Sequence, residues 1–318
     1  MKAARILAGL AIAGLFAWLT LRGVDLAGVL AASRRLQPAT LAGGSVAVAL
    51  AFGLRILRWE VMLRLYRPSL RPGAAAVPLL VGFAGNNVLP FRLGDLVRVF
   101  GFARRLQIRP APLVSSLLVE RVLDLLALLL IAMLGAALLG GRGGPLVQGL
   151  AVLAGVTVAG ASAVLWAAGP IVGLLLQGAR LRRVRRVRIL RRLLAFAARA
   201  AWSVAILRRR LLLLGTLSVA AWAAEGLVFL AILRGMGDTA DARAWFALAL
   251  GNLGTLLPGA PGHVGTFHFF AKEALVRYGT PPEVAAAEVI LAHALLWMTV
   301  TAAGGAAYVL AWRRRSGD

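Results

Sequence analysis

The chain has 318 residues, 60% of them hydrophobic, no cysteine, and a formal net charge of +24 carried almost wholly by arginine; its mean hydropathy is +0.84. Soluble globular domains do not carry so much apolar residue, and the lack of thiols excludes disulfides, thiolate chemistry and a cysteine metal site. In a soluble protein the charge would point to nucleic acid. Here apolar runs reach the roughly 20 residues that cross a bilayer, so the charge reads as loops between spans meeting anionic lipid, with no nucleic-acid partner.

The expected fold is an all-α polytopic membrane protein of about six full spans plus two re-entrant helical hairpins, since the short alternating strands of a membrane barrel are absent. Span 1 covers Arg5–Leu21; the run is long for a signal peptide and more spans follow, so it reads as a retained helix. Span 2 covers Pro38–Leu57 and ends in a basic patch of Arg55, Arg58, Arg64, Arg67 and Arg71. Ala74–Leu89 is apolar but too short to cross before Pro90, and reads as a half-helix that enters and stops; Leu93–Leu106 leads back out. Span 3 is Ala111–Leu139 and span 4 is Leu146–Trp166. Arg180–Arg210 follows, with arginines among leucines and alanines at helical spacing. It reads as a basic amphipathic segment on anionic inner-leaflet lipid, with a soluble linker helix as the alternative. Span 5 is Leu211–Leu233. Ala244–Leu257 is again too short to cross before Pro258, His263–Tyr278 leads away, and span 6 is Val284–Trp312. Trp59, Trp166, Trp222 and Trp312, with Glu60, lie near span ends and read as interfacial anchors.

With both termini in the cytoplasm of a cell (inner) membrane protein, 26 basic residues fall inside and 8 outside, leaving Arg92 and Arg121 within the membrane. The two interruptions then enter from opposite sides. Segments 51–139 and 214–312 become candidate inverted repeats within one transmembrane domain, the architecture of many alternating-access carriers.

The chemistry is expected at the two breaks. Non-helical backbone at membrane depth is tolerated only where protein or water satisfies it, which implies a shared wet cavity. Asn86 and Asn87 cap freed carbonyls or line that cavity, Pro90 stops the half-helix, and Gly94 lets the chain turn. Arg92 sits beside the new helix start, where free amides, the positive dipole end and a planar guanidinium suit a phosphate; the structural alternative is an ion pair with Asp95 or Glu120. Asp95 and Arg98 are spaced to pair across one turn. Glu120, Arg121 and Asp124 lie within span 3 as a functional site or as an internal lock. The second break has Asn252 before it, then Pro258, Gly259 and Gly262, with His263, Gly265, Thr266 and His268 at the new helix start as donors to an anionic head group. Glu225 supplies an acid and His293 faces the same region. A satisfied structural role is the plain alternative for each histidine. Their spacing fits no metal motif, and no cofactor is expected.

Three stretches resemble a known family: GNNVLPFRLGDLVRV, VERVLDLLALLL and LGNLGTLLPGAPGHVGTFHFF. They are similar to the flippase-like family typified by the N-terminal transmembrane domain of lysylphosphatidylglycerol synthetases. Its first-break motif falls on Asn86, Leu89, Pro90, Arg92, Gly94 and Asp95, with Asp in place of the usual Glu; its E-R-x-x-D motif falls on Glu120, Arg121 and Asp124. The second-break motif falls on Leu257, Pro258, Gly259, Gly262 and Gly265, its usual acid replaced within Thr266–His268, and His293 stands where many members carry arginine. The resemblance implies translocation of a lipid between leaflets. Because the sequence stops at Asp318, the aminoacyl-transfer domain is not expected, nor lysyl-lipid synthesis. The expected function is a flippase for a polar-headed lipid, phosphate-bearing or glycosylated, and not an enzyme. The alternatives are a non-transporting partner of a lipid synthase or glycosyltransferase, docked through Arg180–Arg210, and an intramembrane lipid-modifying enzyme using His263 or His268.

Overall fold

Helix starts and stops follow the punctuation of the sequence. In the computed structural model, which describes residues 2–34, 36–140, 144–180, 188–237, 241–257 and 260–316, every regular element is helical. α1 (Lys2–Leu21) leads to α2 (Leu26–Ser33), whose first amides, those of Ala27 and Gly28, donate to the Asp25 carboxylate at 3.0 Å each. α3 (Pro38–Tyr66) and α7 (Pro110–Leu138) both open on a proline, which lacks the amide that a first helical turn leaves unbonded. Between them lie α4 (Ala76–Val88), a 3₁₀ turn at Pro90–Arg92, α5 (Leu93–Leu96), a π-helical turn at Val97–Gly101, and α6 (Ala103–Leu106). Then come α8 (Pro145–Arg180), α9 (Arg188–Leu207), α10 (Leu211–Gly235), α11 (Ala242–Gly254), a second 3₁₀ turn at Pro261–His263, α12 (Thr266–Arg277) and α13 (Pro282–Ser316). Helical stretches 38–66, 192–235 and 282–311 are long and apolar enough to cross a membrane; Ala76–Val88 and Gln148–Ala163 are shorter apolar helices. The chain is a helical membrane protein.

Several expected boundaries shift. The return limb expected as one helix over Leu93–Leu106 is three short pieces joined by a π turn. The span expected over Leu146–Trp166 belongs to a helix that runs on to Arg180. In the basic segment, residues 181–187 lie outside the described ones, and α9 does not rest on lipid alone. Its buried stripe of Ala198, Ser203, Val204 and Leu207 docks on the bundle: Ser115 Oγ donates to the Ala200 carbonyl at 3.0 Å, and Tyr66 Oη to the Ser203 carbonyl at 3.2 Å.

Packing brings distant elements together in a reciprocal way. α3 packs against α10, α4 against α13, and α11 against α7. The first break is held by direct backbone contact: a methyl group on Gly94 would overlap the Gly82 carbonyl oxygen and the Asn86 amide of α4. Asn86 completes this join, its carboxamide accepting from the Asp95 amide at 3.1 Å and donating to the Asp95 carboxylate at 2.9 Å.

Around this join lies a charged core that corrects the sequence reading of four residues. Arg55, Arg58 and Arg98, expected among the cytoplasmic charges, are buried. Asp95 and Arg98 do not pair with each other. Arg98 makes a bidentate pair with Glu120 at 2.8 and 2.9 Å, its guanidinium 3.8 Å over the Trp59 ring. Arg58 reaches the same carboxylate at 3.5 Å, pairs with Asp124, and donates to Ser218 Oγ at 2.6 Å. Asp95 pairs with Arg121 at 3.1 Å, and Arg55 with Glu225 at 2.6 Å. Trp59 and Trp222 are likewise not interfacial anchors. Both are buried, with indole N–H groups donating to Ser116 Oγ at 3.1 Å and to the Asp124 carboxylate at 3.0 Å. Glu60 caps the following loop at the Gly73 amide, 2.7 Å away. For Arg55 and Arg58 the physical reason is that an arginine on a long apolar helix finds partners only on neighbouring helices; Arg98 and the two indoles likewise meet their polar partners on other elements.

Removing one member leaves the others uncompensated, so Arg58→Ala is expected to destabilise the detergent-solubilised protein by about 3–5 kcal/mol. Arg64→Ala, on the same helix but with a half-exposed side chain, is expected to cost under about 1 kcal/mol in the same thermal melts. Gly94→Ala, which removes no charge, is expected to cost about 1–3 kcal/mol through overpacking against α4.

Candidate functional site

The two breaks share one local design. Each is a 3₁₀ turn that opens on a proline and closes on a non-glycine residue in the left-handed region: Pro90–Arg92, with Arg92 at φ 53°, and Pro261–His263, with His263 at φ 59°. Left-handed geometry costs such residues of the order of 1–3 kcal/mol each, so the surroundings must impose it. The sequence reading aligned Pro90 with Pro258. Pro258 and Gly259 lie outside the described residues, and the turn that repeats the first break's geometry begins at Pro261.

The two turns touch. Arg92 donates to Thr255 Oγ1 at 3.3 Å, across from its own hairpin to the end of α11. Gly262, at φ 68°, lies so close to α4 and α13 that a Cβ there would sit 2.7 Å from the Trp297 indole nitrogen and 3.2 Å from the Asn87 carbonyl. Asn87 in turn donates to Thr301 Oγ1 at 2.9 Å and accepts from the Trp297 indole at 3.4 Å.

Between the turns lies a cavity of about 410 Å³. It is lined by Phe52 and Arg55 of α3, by Asn86 and Asn87 of α4, by Arg92, by Arg121 and Asp124 of α7, by Trp222 and Glu225 of α10, and by Asn252, Thr255, His263, Phe267 and His293. The expectation of a shared cavity thus brings together nine candidates: Asn86, Asn87, Arg92, Arg121, Asp124, Glu225, Asn252, His263 and His293. Asp95, Arg98 and Glu120 stand behind this lining and position it, as do Pro90 and Gly94, Gly262 and Gly265. His268 is also one layer back, 3.1 Å from His293 through the ring nitrogens, and Thr266 is fully buried.

The electrostatics single out one group. Arg55, Arg58, Arg98 and Arg121 are matched by Glu225, Asp124, Glu120 and Asp95. Arg92 pairs with neither Asp95 nor Glu120; among the described residues its partner is Thr255. The helix ends contribute less than expected. α5 is four residues long and gives way to a π turn, and the Gly265 amide at the start of α12 is given to His268 Nδ1 at 3.3 Å. Among the described arginines that line the cavity, Arg92 is thus the one whose guanidinium has no carboxylate partner.

Sequence reasoning missed Arg55, Arg58, Thr255 and Trp297. For the first two a signal exists: Arg55, Arg58 and Trp59 recur at i, i+3 and i+4 within a long apolar helix, the pattern of an inward face.

A family model described as lysylphosphatidylglycerol synthase TM region matches residues 6–304. The chain is also 26% identical over 342 residues to "Glycosyltransferase AglD" of Haloferax volcanii, a match that covers 96% of this chain and 54% of the relative. The chain thus spans about half the length of that curated relative. The motifs, the helical membrane fold and a match running nearly end to end agree: the chain belongs to the lysylphosphatidylglycerol synthase transmembrane-region family.

Proposed function

We propose that this protein is a lipid flippase, a carrier that moves a phosphate-bearing or glycosylated lipid between leaflets without chemical change to it. The observation that carries this reading is an arginine with no carboxylate partner, held in a strained turn, in a cavity where two broken helices meet. A partly buried guanidinium in that setting calls for an anion, and its planar fork matches phosphate. The cavity's rim supports a lipid rather than a soluble ion: Leu256 is 58% exposed and Trp297 36%, and Leu257 and Val264 are exposed beside them. The head group would occupy the polar interior while the tails stay in hydrocarbon.

Two hairpins with the same turn geometry, and the reciprocal packing of α4 on α13 and α11 on α7, support inverted repeats over 51–139 and 214–312. Rocking of one half against the other would then expose the site alternately. Both termini lie in the cytoplasm in this reading. Withdrawing the buried Arg55, Arg58, Arg98 and Lys272 from the charge count leaves 23 basic residues inside against 7 outside.

A second reading, a membrane partner of a lipid synthase or glycosyltransferase, takes support from the relative's printed name and from the arginines of 180–210. Arg92→Gly separates the two. Glycine relieves the left-handed strain, so the variant should melt at or above the parent temperature. Reconstituted in vesicles, it should lose at least tenfold in fluorescent-lipid transfer. If transfer is unchanged in Arg92→Gly and the cellular phenotype is lost instead on charge reversal in α9, the partner reading replaces the carrier reading.

A further inference from the structure

We propose that the cavity selects a head group with one negative charge and no ammonium: an anionic phosphodiester lipid, and not an aminoacylated or choline-type one. The proposal rests on the lipid-binding reading above and narrows it.

The first observation is carboxylate saturation. An ammonium that sheds part of its water on entering the cavity needs a carboxylate or a free aromatic face in its place. Asp124 and Glu225 are the carboxylates lining the cavity. Asp124 accepts from Arg58 and from the Trp222 indole, and Glu225 is paired with Arg55 at 2.6 Å. Two of the aromatic faces are also taken, because the Arg55 guanidinium lies 4.5 Å over the Trp222 ring and 5.1 Å over Phe52. With four arginines and four carboxylates matched, the lining keeps one cation to spare, Arg92. A single phosphodiester charge balances it; a lysyl or choline group adds positive charge beside Arg92 with no unpaired carboxylate in the lining to meet it.

The second observation is independent of this count and concerns a pair of histidines. The Gly265 amide donates to His268 Nδ1 at 3.3 Å, so that nitrogen presents a lone pair and the ring carries its proton on Nε2. That N–H donates to His293 Nδ1 at 3.1 Å, which in turn places the proton of His293 on its own Nε2. Protonating either ring fully would set N–H against N–H at one of these contacts. The chain from Gly265 through His268 to His293 therefore holds His293, a lining residue, as an uncharged hydrogen-bond donor. Such a group bonds a phosphate or hydroxyl oxygen and offers nothing to an ammonium. His268 acts here as a positioning residue and does not touch the ligand.

The test uses the full chain in vesicles and in detergent with three probes: tail-labelled phosphatidylglycerol, phosphatidylcholine and lysyl-phosphatidylglycerol. The expected result is transfer of phosphatidylglycerol at least tenfold faster than of either ammonium-bearing lipid. Arg92→Lys should keep that preference and Arg92→Gln should bring it close to one. His293→Gln, which keeps a donor near the Nε2 position, should retain transfer that His293→Ala loses, and His268→Ala should add no further loss to His293→Ala. Nitrogen-15 spectra of the three histidines, assigned by single substitution, should place the proton of both His268 and His293 on Nε2. Equal or faster transfer of the ammonium lipids, or a proton on Nδ1 of either ring, overturns the proposal. If no lipid moves above empty vesicles, binding of short-chain lipids decides. Phosphatidylglycerol bound at least tenfold more tightly than phosphatidylcholine sustains the selectivity and removes the carrier reading; equal binding removes both. Glycerol phosphate that binds as tightly as the short-chain lipid shows a soluble anion to be the ligand and overturns the lipid assignment.

Discussion

The structure depends on how Glu120 is held. This carboxylate is fully buried, gripped by Arg98 from the first hairpin and reached by Arg58 from α3. A charge at such a place is tolerable only with its partners in position, since the desolvation penalty of each ion is several kcal/mol. The pair therefore ties three elements that are far apart in sequence to one geometry. Asp124, one turn further along α7, extends the tie to α10 through Trp222 and Ser218, by way of Arg58. In this conformation the elements that carry the cavity are held together by ion pairs and hydrogen bonds, not by apolar packing alone, which in lipid has little driving force.

Within that frame the two breaks are unusual in carrying side chains where glycine is the easy residue. Arg92 and His263 both take left-handed backbone, and both line the cavity. Strain at matching points of two hairpins is held because the neighbouring contacts are close: Gly94 against Gly82 and Asn86 on one side, Gly262 against Trp297 and Asn87 on the other. Backbone strain is commonly concentrated where a side chain must be aimed. The cost is borne by the packing of α4 and α13, which is why glycines that leave no room for a methyl stand beside each turn.

Much of the fold was legible from residues whose physics is local. The half-helix ending before Pro90 and the one ending before Pro258 are set by apolar runs too short to cross and by proline punctuation, and both were placed within a few residues. The shared cavity followed from the same breaks, and Arg92, Asn87, His263 and His293 followed from their place beside them. What was not legible was pairing. Asp95 and Arg98 have the spacing of a helical pair, yet tertiary partners took both, because α7 places Arg121 beside the one and Glu120 beside the other. Arg55 and Arg58 looked like the basic end of a span, since positive charge near a helix end usually faces water. Their spacing with Trp59 marks one face of the helix, and the packing of α3 against α7 and α10 supplies the partners on that face. Pro258 lies outside the described residues; the described turn with the backbone geometry of Pro90–Arg92 begins at Pro261.

The central claim is a wet cavity between the two breaks that a lipid head group enters. Because the native chain has no cysteine, single cysteines at Val122 of α7 and Thr255 at the end of α11, both in the cavity lining, report on it directly. Each would be labelled in sealed vesicles with a membrane-impermeant thiol reagent applied from either side. The account predicts that both react, and that added phosphatidylglycerol slows the reaction at least several-fold. No reaction at either position from either side, in a protein that still melts cooperatively, would mean a dry packing defect and would contradict the account.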